Sequence, residues 1–367
     1  MADRWRGRRL HFIGIGGAGM SGLALVCARL GATVTGSARA ASSYMERLRA
    51  AGLDPVIGHD AANLPERAEV VVSTAIGEDN PELALARERG VEPLHRSELL
   101  AELCAEKRVI AIAGTHGKTT TTAMAVWALR AAGADPAFFV GGEVPGLGPD
   151  GEAVNAGWGG GEWVVAEADE SDGSFLRLRP EIAVITNVEM DHHTHWGSLA
   201  TLHAAFAEFA DLASTVVLPA DGSLDRLAGS TEIVRFDAEA PGPHDLGLAV
   251  PGRHNRANAR AALAAIAATG IDPELAPAHA LADEAVVLDV YPAREQPVGE
   301  LAGVSGLAVA EAAADRMGGR RVAWTPGAAA AERYLGGRIG APGEVLVTLG
   351  AGDVFRLGEA LVDRGSG

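Results

Sequence analysis

Residues 114–119 read Gly-Thr-His-Gly-Lys-Thr, a spacing suited to holding phosphate. Two glycines let a turn present successive backbone N–H groups, Lys118 can reach the outer phosphates of a nucleotide, and the hydroxyls of Thr119 and Thr120 can ligate Mg²⁺. The strict phosphate-loop pattern has glycine five positions before Gly117, where this chain has Ile112, so the loop is a variant. A second glycine run, Gly14-Ile15-Gly16-Gly17-Ala18-Gly19, fits G-x-G-x-x-G. A dinucleotide site would also want an acid at the end of the following strand, and that end reads Gly36-Ser37-Ala38, with Glu46 inside a helical pattern. The pyrophosphate of another nucleotide fits the run better, and a turn whose glycines serve packing alone is the competing reading.

Two polar clusters follow apolar runs. Glu167-Ala168-Asp169-Glu170-Ser171-Asp172 comes after Trp163 to Ala166, which puts carboxylates at the sheet edge where Mg²⁺ and phosphates gather. A solvated acidic loop is the plain alternative. Asp191-His192-His193-Thr194-His195 follows Ala183 to Asn187 and invites a zinc reading. Near neighbours on one loop rarely converge on one tetrahedral ion, no cysteine is close, and a phosphate loop demands a hard cation. One histidine completing an Mg²⁺ shell is the more economical assignment.

The elements that must position these residues alternate in type. Leu10 to Ile15 reads as a strand, followed by the glycine loop, a helix to Leu30 and a strand at Ala32 to Thr35. A strand at Val70 to Ser73 and helices around Pro81 to Arg89 and Ser97 to Glu106 continue the alternation, which predicts a parallel sheet wrapped by helices. A new unit opens with a strand at Val109 to Ala113 and a helix to Ala132. Strands at Trp163 to Ala166, Ile182 to Thr186 and Ile233 to Phe236 follow, with helices at Leu199 to Leu212 and Asn255 to Thr269. Strands Glu284 to Asp289 and Val345 to Thr348 among alanine-rich helices suggest a third, small α/β domain. The expected division is 1–106, 107–270 and 271–367.

Composition narrows the partners. Against 31 Lys and Arg stand 48 Asp and Glu, a net charge of −17 over 367 residues, which argues against a nucleic-acid or anionic-membrane surface. No apolar run is long enough to span a bilayer. Arg4, Arg6, Arg8 and Arg9 before an apolar stretch imitate a signal peptide, but glycines and Arg29 interrupt that stretch, so a folded strand and helix explain it better. The two cysteines, Cys27 and Cys104, build no disulfide framework, and a cytoplasmic location is the expectation.

These segments resemble the Mur ligases. The resemblance is carried by residues 11–22 (HFIGIGGAGMSG), 114–122 (GTHGKTTTT), 167–176 (EADESDGSFL), 185–192 (ITNVEMDH) and 251–258 (PGRHNRAN), and reappears at 289–295 (DVYPARE) and 348–353 (TLGAGD). It implies a three-domain α/β architecture: a Rossmann-like N-terminal domain, a central P-loop ATPase domain and a small, truncated Rossmann-like C-terminal domain. It implies ATP and Mg²⁺ as cofactors and UDP-N-acetylmuramate and L-alanine as substrates in peptidoglycan synthesis, in a monomer or dimer. Gly14, Gly16, Gly17, Ala18, Gly19 and Met20 would line the UDP-sugar site. Gly114, Thr115, His116, Gly117, Lys118, Thr119 and Thr120 would hold ATP phosphates, with His254, Asn255 and Asn258 bordering adenine. Thr119, Glu167 and His192 would be metal ligands, and Lys118, Glu167 and His192 the catalytic set.

Two departures from the family pattern stand out. Ala38 replaces an expected aspartate. Between Thr269 and Leu281 the expected Asp-Tyr-x-His-His-Pro and Phe-Gln-Pro-His-Arg segments are absent, and the stretch between Asp225 and Pro251 is short. Those segments would help position the amino acid, so their absence predicts nucleotide binding with little ligation. The alternative function is a non-catalytic or regulatory UDP-sugar and ATP-binding homologue.

Overall fold

The computed structural model describes residues 2–148, 151–190, 196–237, 252–271, 284–288, 321–325 and 328–335. Compactness divides the chain into Met1–Ala240 with Ala257–Pro277, and Pro241–Arg256 with Ala278–Gly367. The first unit contains two sheets.

Its first sheet is all parallel, in the order β3-β2-β1-β4-β5. The strands are β1 (Arg9–Ile13), β2 (Thr33–Ala38), β3 (Val56–Ile57), β4 (Glu69–Val72) and β5 (Leu94–His95). The helices are α1 (Ala2–Trp5), α2 (Ala18–Arg29), α3 (Ser43–Ala50), α4 (Pro81–Glu88) and α5 (Arg96–Cys104). Four of the five residues of β1 are buried, as expected of a parallel strand covered on both faces. The chain leaves β1 for β2 on one side and later places β4 on the other, so the glycine loop after β1 sits at a topological switch point.

A buried carboxylate braces that loop. Ser37, on β2, accepts from Gly14 N (2.8 Å) and Ile15 N (2.9 Å) through its carbonyl, while its hydroxyl donates to Glu82 Oε2 (2.7 Å). Glu82, on α4, is fully buried and also receives His11 Nε2 (2.8 Å), Asp60 N (3.2 Å) and Asn63 Nδ2 (3.2 Å). Burial alone would push its carboxyl up; the bonds from His11, Ser37 and Asn63 win and hold it down at about 2.

The second sheet has the order β12-β11-β10-β6-β9-β7-β8, parallel except for β8. It comprises β6 (Arg108–Ala113), β7 (Ala137–Val144), β8 (Val154–Gly157), β9 (Trp163–Glu167), β10 (Ile182–Ile185), β11 (Thr215–Pro219) and β12 (Glu232–Phe236). Helices α6 (Lys118–Ala131), α7 (Leu199–Asp211) and α8 (Arg253–Ala268) belong with it in chain order. The central strand β6 has β9 on one side and β10 on the other, a second switch point. The loops after β6, β9 and β10 therefore open into one crevice. Helix α2 of the first sheet packs on β7 and β8: a Cβ on Gly22 would lie 2.8 Å from the Ala156 Cβ, and Asn155 Nδ2 donates to the Ala18 carbonyl at 2.5 Å.

In the second unit, β13 (Glu284–Leu288) pairs in parallel with β14 (Arg321–Thr325), and a helix spans Ala328–Leu335. The strand expected at Val345 to Thr348 lies outside the described residues.

Candidate active site

The loop between β6 and α6 is shaped by glycine where no other residue fits. Gly114 has φ +134°, and a Cβ there would meet the Thr186 hydroxyl and the backbone of Asn187. Gly117 caps α6 with φ +83°, and its Cβ would run into the Asn258 side chain on α8. The segment after β10 bolts the loop in place. Thr115 N donates to the Asn187 carbonyl (3.1 Å), His116 N to Asn187 Oδ1 (2.9 Å), and the Thr186 hydroxyl to the His116 carbonyl (2.7 Å). Glu189 N closes the ring on the Thr115 hydroxyl at 2.9 Å. A loop so held ends at the start of α6, where the first backbone amides have no helical acceptor, an arrangement suited to phosphate.

Lys118 opens α6 and folds back over the loop. Its Nζ donates to the carbonyls of Gly114 (2.7 Å) and Thr115 (3.2 Å) and pairs with Glu170 at 2.9 Å. Both side chains are largely buried, at 13% and 2% exposure. Burial pushes the Glu170 carboxyl up, against the pull of Lys118. Thr119 donates to Glu167 Oε1 (3.0 Å), and Gly141 N, on β7, donates to Oε2 (2.7 Å). Burial raises the Glu167 carboxyl, only partly offset by these bonds. A hydroxyl and a carboxylate oxygen side by side, in a pocket that disfavours bare negative charge, are a donor set fitting a hard divalent cation.

The first sheet approaches this crevice within the same compact unit. A cavity of about 110 Å³ is lined by Gly19 and Gly22 of α2, Arg96 of α5, Gly141 of β7, and Glu167 and Asp169. Arg96 Nη2 lies 3.4 Å from Asp169 Oδ2, and its Nη1 lies 3.2 Å from where a Cβ on Gly19 would be.

The structure thus brings together Gly114, Gly117, Lys118, Thr119, Glu167 and Asn258, and sets the glycine run 14–19 at the mouth of the first sheet. His116 points to an exposed edge, 3.7 Å from Glu189. Thr120 lies in the first turn of α6, Met20 is buried in α2, and His254 and Asn255 lie in the first turn of α8. His192 lies outside the described residues. Among the described residues no three His, Cys, Asp or Glu side chains converge as a metal site. Sequence reasoning missed Glu170 as the partner of Lys118, although it singled out the acidic run, and missed Arg96, Asn187 and Gly141. Asn187 lies within the 185–192 segment, whereas Arg96 and Gly141 carry no local signal, because only tertiary structure brings them to the site.

Fold and site together define an α/β nucleotide-handling protein with a phosphate loop on one sheet and a glycine loop on another. Residues 9–108 match the catalytic domain of the Mur ligase family and residues 112–241 the Mur ligase middle domain. The chain is 36% identical to the UDP-N-acetylmuramate--L-alanine ligase of Renibacterium salmoninarum, over 97% of this chain and 95% of that protein. It is 37% identical to the ligase of the same name from Kineococcus radiotolerans, over 97% and 96%. The chain belongs to the Mur ligase family.

Among solved structures, UDP-N-acetylmuramate-alanine ligase MurC from Thermotoga maritima superposes with a TM-score of 0.70 at 23% identity, covering 98% of this chain and 99% of that one. The UDP-N-acetylmuramate:L-alanyl-gamma-D-glutamyl-meso-diaminopimelate ligase from Neisseria meningitides gives 0.66 at 27%, over 74% and 97%. The Renibacterium match runs over 463 positions although this chain has 367 residues, so at least 96 positions (463 − 367) within the match have no counterpart here.

Proposed function

We propose that this chain joins L-alanine to the lactyl carboxylate of UDP-N-acetylmuramate at the expense of ATP, a step of peptidoglycan precursor synthesis serving cell-wall growth, shape and division. The observation that carries the reading is the cavity in which Gly19, beside the first sheet's glycine loop, and Glu167, beside the phosphate loop, line one space. A UDP-sugar on the first loop would extend its sugar toward ATP on the second. The near full-length relatives with that activity in their names support the choice of substrates.

In this reading Gly14, Gly16, Gly17, Ala18, Gly19 and Met20 hold the UDP-sugar pyrophosphate at the start of α2, where no side chain caps the helix. Gly114 to Thr120 cradle the ATP phosphates, and His254, Asn255 and Asn258 border adenine. Lys118 exchanges its bonds to Glu170 and the loop carbonyls for the β- and γ-phosphates. Thr119, Glu167 and His192 would hold Mg²⁺, which supplies charge neutralisation at the phosphate oxygens. A carboxylate oxygen of the sugar bonds the γ-phosphorus as the bond to ADP breaks, giving an acyl phosphate. The alanine nitrogen then bonds the acyl carbon, phosphate leaves with its electron pair, and the surplus amine protons pass to solvent. Lys118 absorbs charge on the transferring group during the first step.

The domains of this account are 1–106 for the UDP-sugar, 107–270 for ATP and 271–367 for a shortened C-terminal part, and the setting is the cytoplasm. No helix among the described residues is long and apolar enough to cross a membrane. The positions without counterpart favour a second reading, a homologue that binds both nucleotides without ligation. Phosphate release from ATP with Mg²⁺ and UDP-N-acetylmuramate, measured with and without L-alanine, separates the two. Amine-dependent release is the expected result, and tight nucleotide binding without it supports the second reading.

A further inference from the structure

We infer that Arg96 is the residue that recognises the carboxylate of the acyl substrate, gripping it between the glycine loop and the acids of the phosphate-loop crevice. The inference rests on the functional reading above and adds to it a determinant of sugar specificity.

The cavity shared by the two loops is lined by two carboxylates, Glu167 and Asp169, and Arg96 is the sole Lys or Arg among its lining residues. An anionic substrate group entering there meets like charge on the β9 side, and Arg96 is the lining group able to offset it. Geometry then favours the guanidinium over a loose point charge. Nη2 is tethered to Asp169 at 3.4 Å, while Nη1 lies beside Gly19, 3.2 Å from where a side chain there would begin. One arm of the fork is thus anchored on Asp169, and the other lies beside Gly19, which lines the same cavity and ends the glycine run proposed to hold the sugar nucleotide. A planar fork matches the two oxygens of a carboxylate.

The backbone beneath is fixed as well. Arg96 is the first residue of α5, directly after the cap His95, whose N–H donates to Glu98 Oε2 (2.7 Å) and whose Nδ1 receives Ser97 N (3.3 Å). A long side chain springing from a capped helix start loses little orientation. A Cβ at Gly19 would lie 3.2 Å from Arg96 Nη1, so the guanidinium sits in close contact with that turn of α2.

The test compares UDP-N-acetylmuramate with UDP-N-acetylglucosamine, which lacks the lactyl carboxylate, by titration calorimetry on the wild-type chain and on Arg96→Ala and Arg96→Lys. Arg96→Ala is expected to weaken UDP-N-acetylmuramate by about 10- to 100-fold, the range of a lost charge-assisted contact, while leaving UDP-N-acetylglucosamine unchanged. Arg96→Lys should fall between, keeping the charge without the fork. Unchanged binding of the neutral sugar also shows that the variant is folded. Equal weakening of both sugars, or of neither, overturns the assignment and leaves the functional reading standing. A wild-type chain that binds neither sugar overturns that reading, and the inference with it.

Discussion

Replacing Lys118 with alanine should damage the protein in two separable ways. The first is catalytic: losing one positioned charge at a phosphoryl group costs on the order of 10² to 10³ in turnover. The second follows from the pair with Glu170, whose side chain is only 2% exposed and whose carboxylate is 2.9 Å from Lys118 Nζ. Removing one member of a buried pair leaves the other charge without its cation, which costs about 3 kcal/mol at the low end of the usual range, suitable here because Lys118 keeps 13% exposure. For a folded unit of this size that corresponds to a fall in Tm of roughly 6 to 12 °C. The double variant Lys118→Ala/Glu170→Gln should recover most of the thermal loss, because the carboxylate needing a partner is gone, but none of the activity. Calorimetric melting alongside ATP-dependent phosphate release tests both halves, with UDP-N-acetylmuramate binding as the control that should stay nearly intact. Recovery of turnover in the double variant, or full ATPase activity in Lys118→Ala, would refute the reasoning.

Glu82 predicts an acid-sensitive fold: its folded-state carboxyl sits at about 2 against an ordinary 4.5, so its contribution is complete above the ordinary value and drains away as pH falls from about 5 toward 2. That difference amounts to about 3 kcal/mol, and urea midpoints at pH 7 and pH 3 should fall less steeply for Glu82→Gln than for the wild type; equal slopes count against it. Chelation should abolish ATP turnover and Mg²⁺ or Mn²⁺ should restore it, whereas one tightly held zinc per chain by elemental analysis would favour the histidine cluster instead. Inserting the Asp-Tyr-x-His-His-Pro and Phe-Gln-Pro-His-Arg segments that the family resemblance leads one to expect between Thr269 and Leu281 should raise kcat/KM for L-alanine at least about tenfold while leaving KM for ATP and the UDP-sugar in place, as expected when orientation of the amine is what is lacking. No gain on insertion would show that the amine is positioned by residues already present.

Much of this architecture was legible because burial on two faces leaves continuous apolar runs. β1, β6, β9 and β10 were placed to within a residue or two; β1 and β6 run into glycine loops and β9 into an acidic one, which marks their ends. β7 and β8 were missed for the converse reason: Ala137–Val144 contains two glycines and an acid, and Val154–Gly157 is short and small, so neither displays a strand period. Both strands pack against α2, a contact that local sequence does not encode. β3 and β5 have two residues each, too few for any periodicity. At the site, Lys118, Thr119 and Glu167 were found through motifs whose chemistry dictates residue type. Arg96 and Glu82 were not, because each acts through contacts with residues far along the chain: Arg96 meets Asp169 73 positions away, and Glu82 meets His11 across 71.

Joining one carboxylate to one amine at the expense of ATP is the activity to be measured. Incubating the purified chain with ATP, Mg²⁺, UDP-N-acetylmuramate and isotopically labelled L-alanine, and resolving the nucleotide-sugars by mass, measures that directly. The account predicts label in UDP-N-acetylmuramoyl-L-alanine, formed one for one with ADP and phosphate and lost in Lys118→Ala. Binding of both nucleotides with no labelled product at any L-alanine concentration would contradict it.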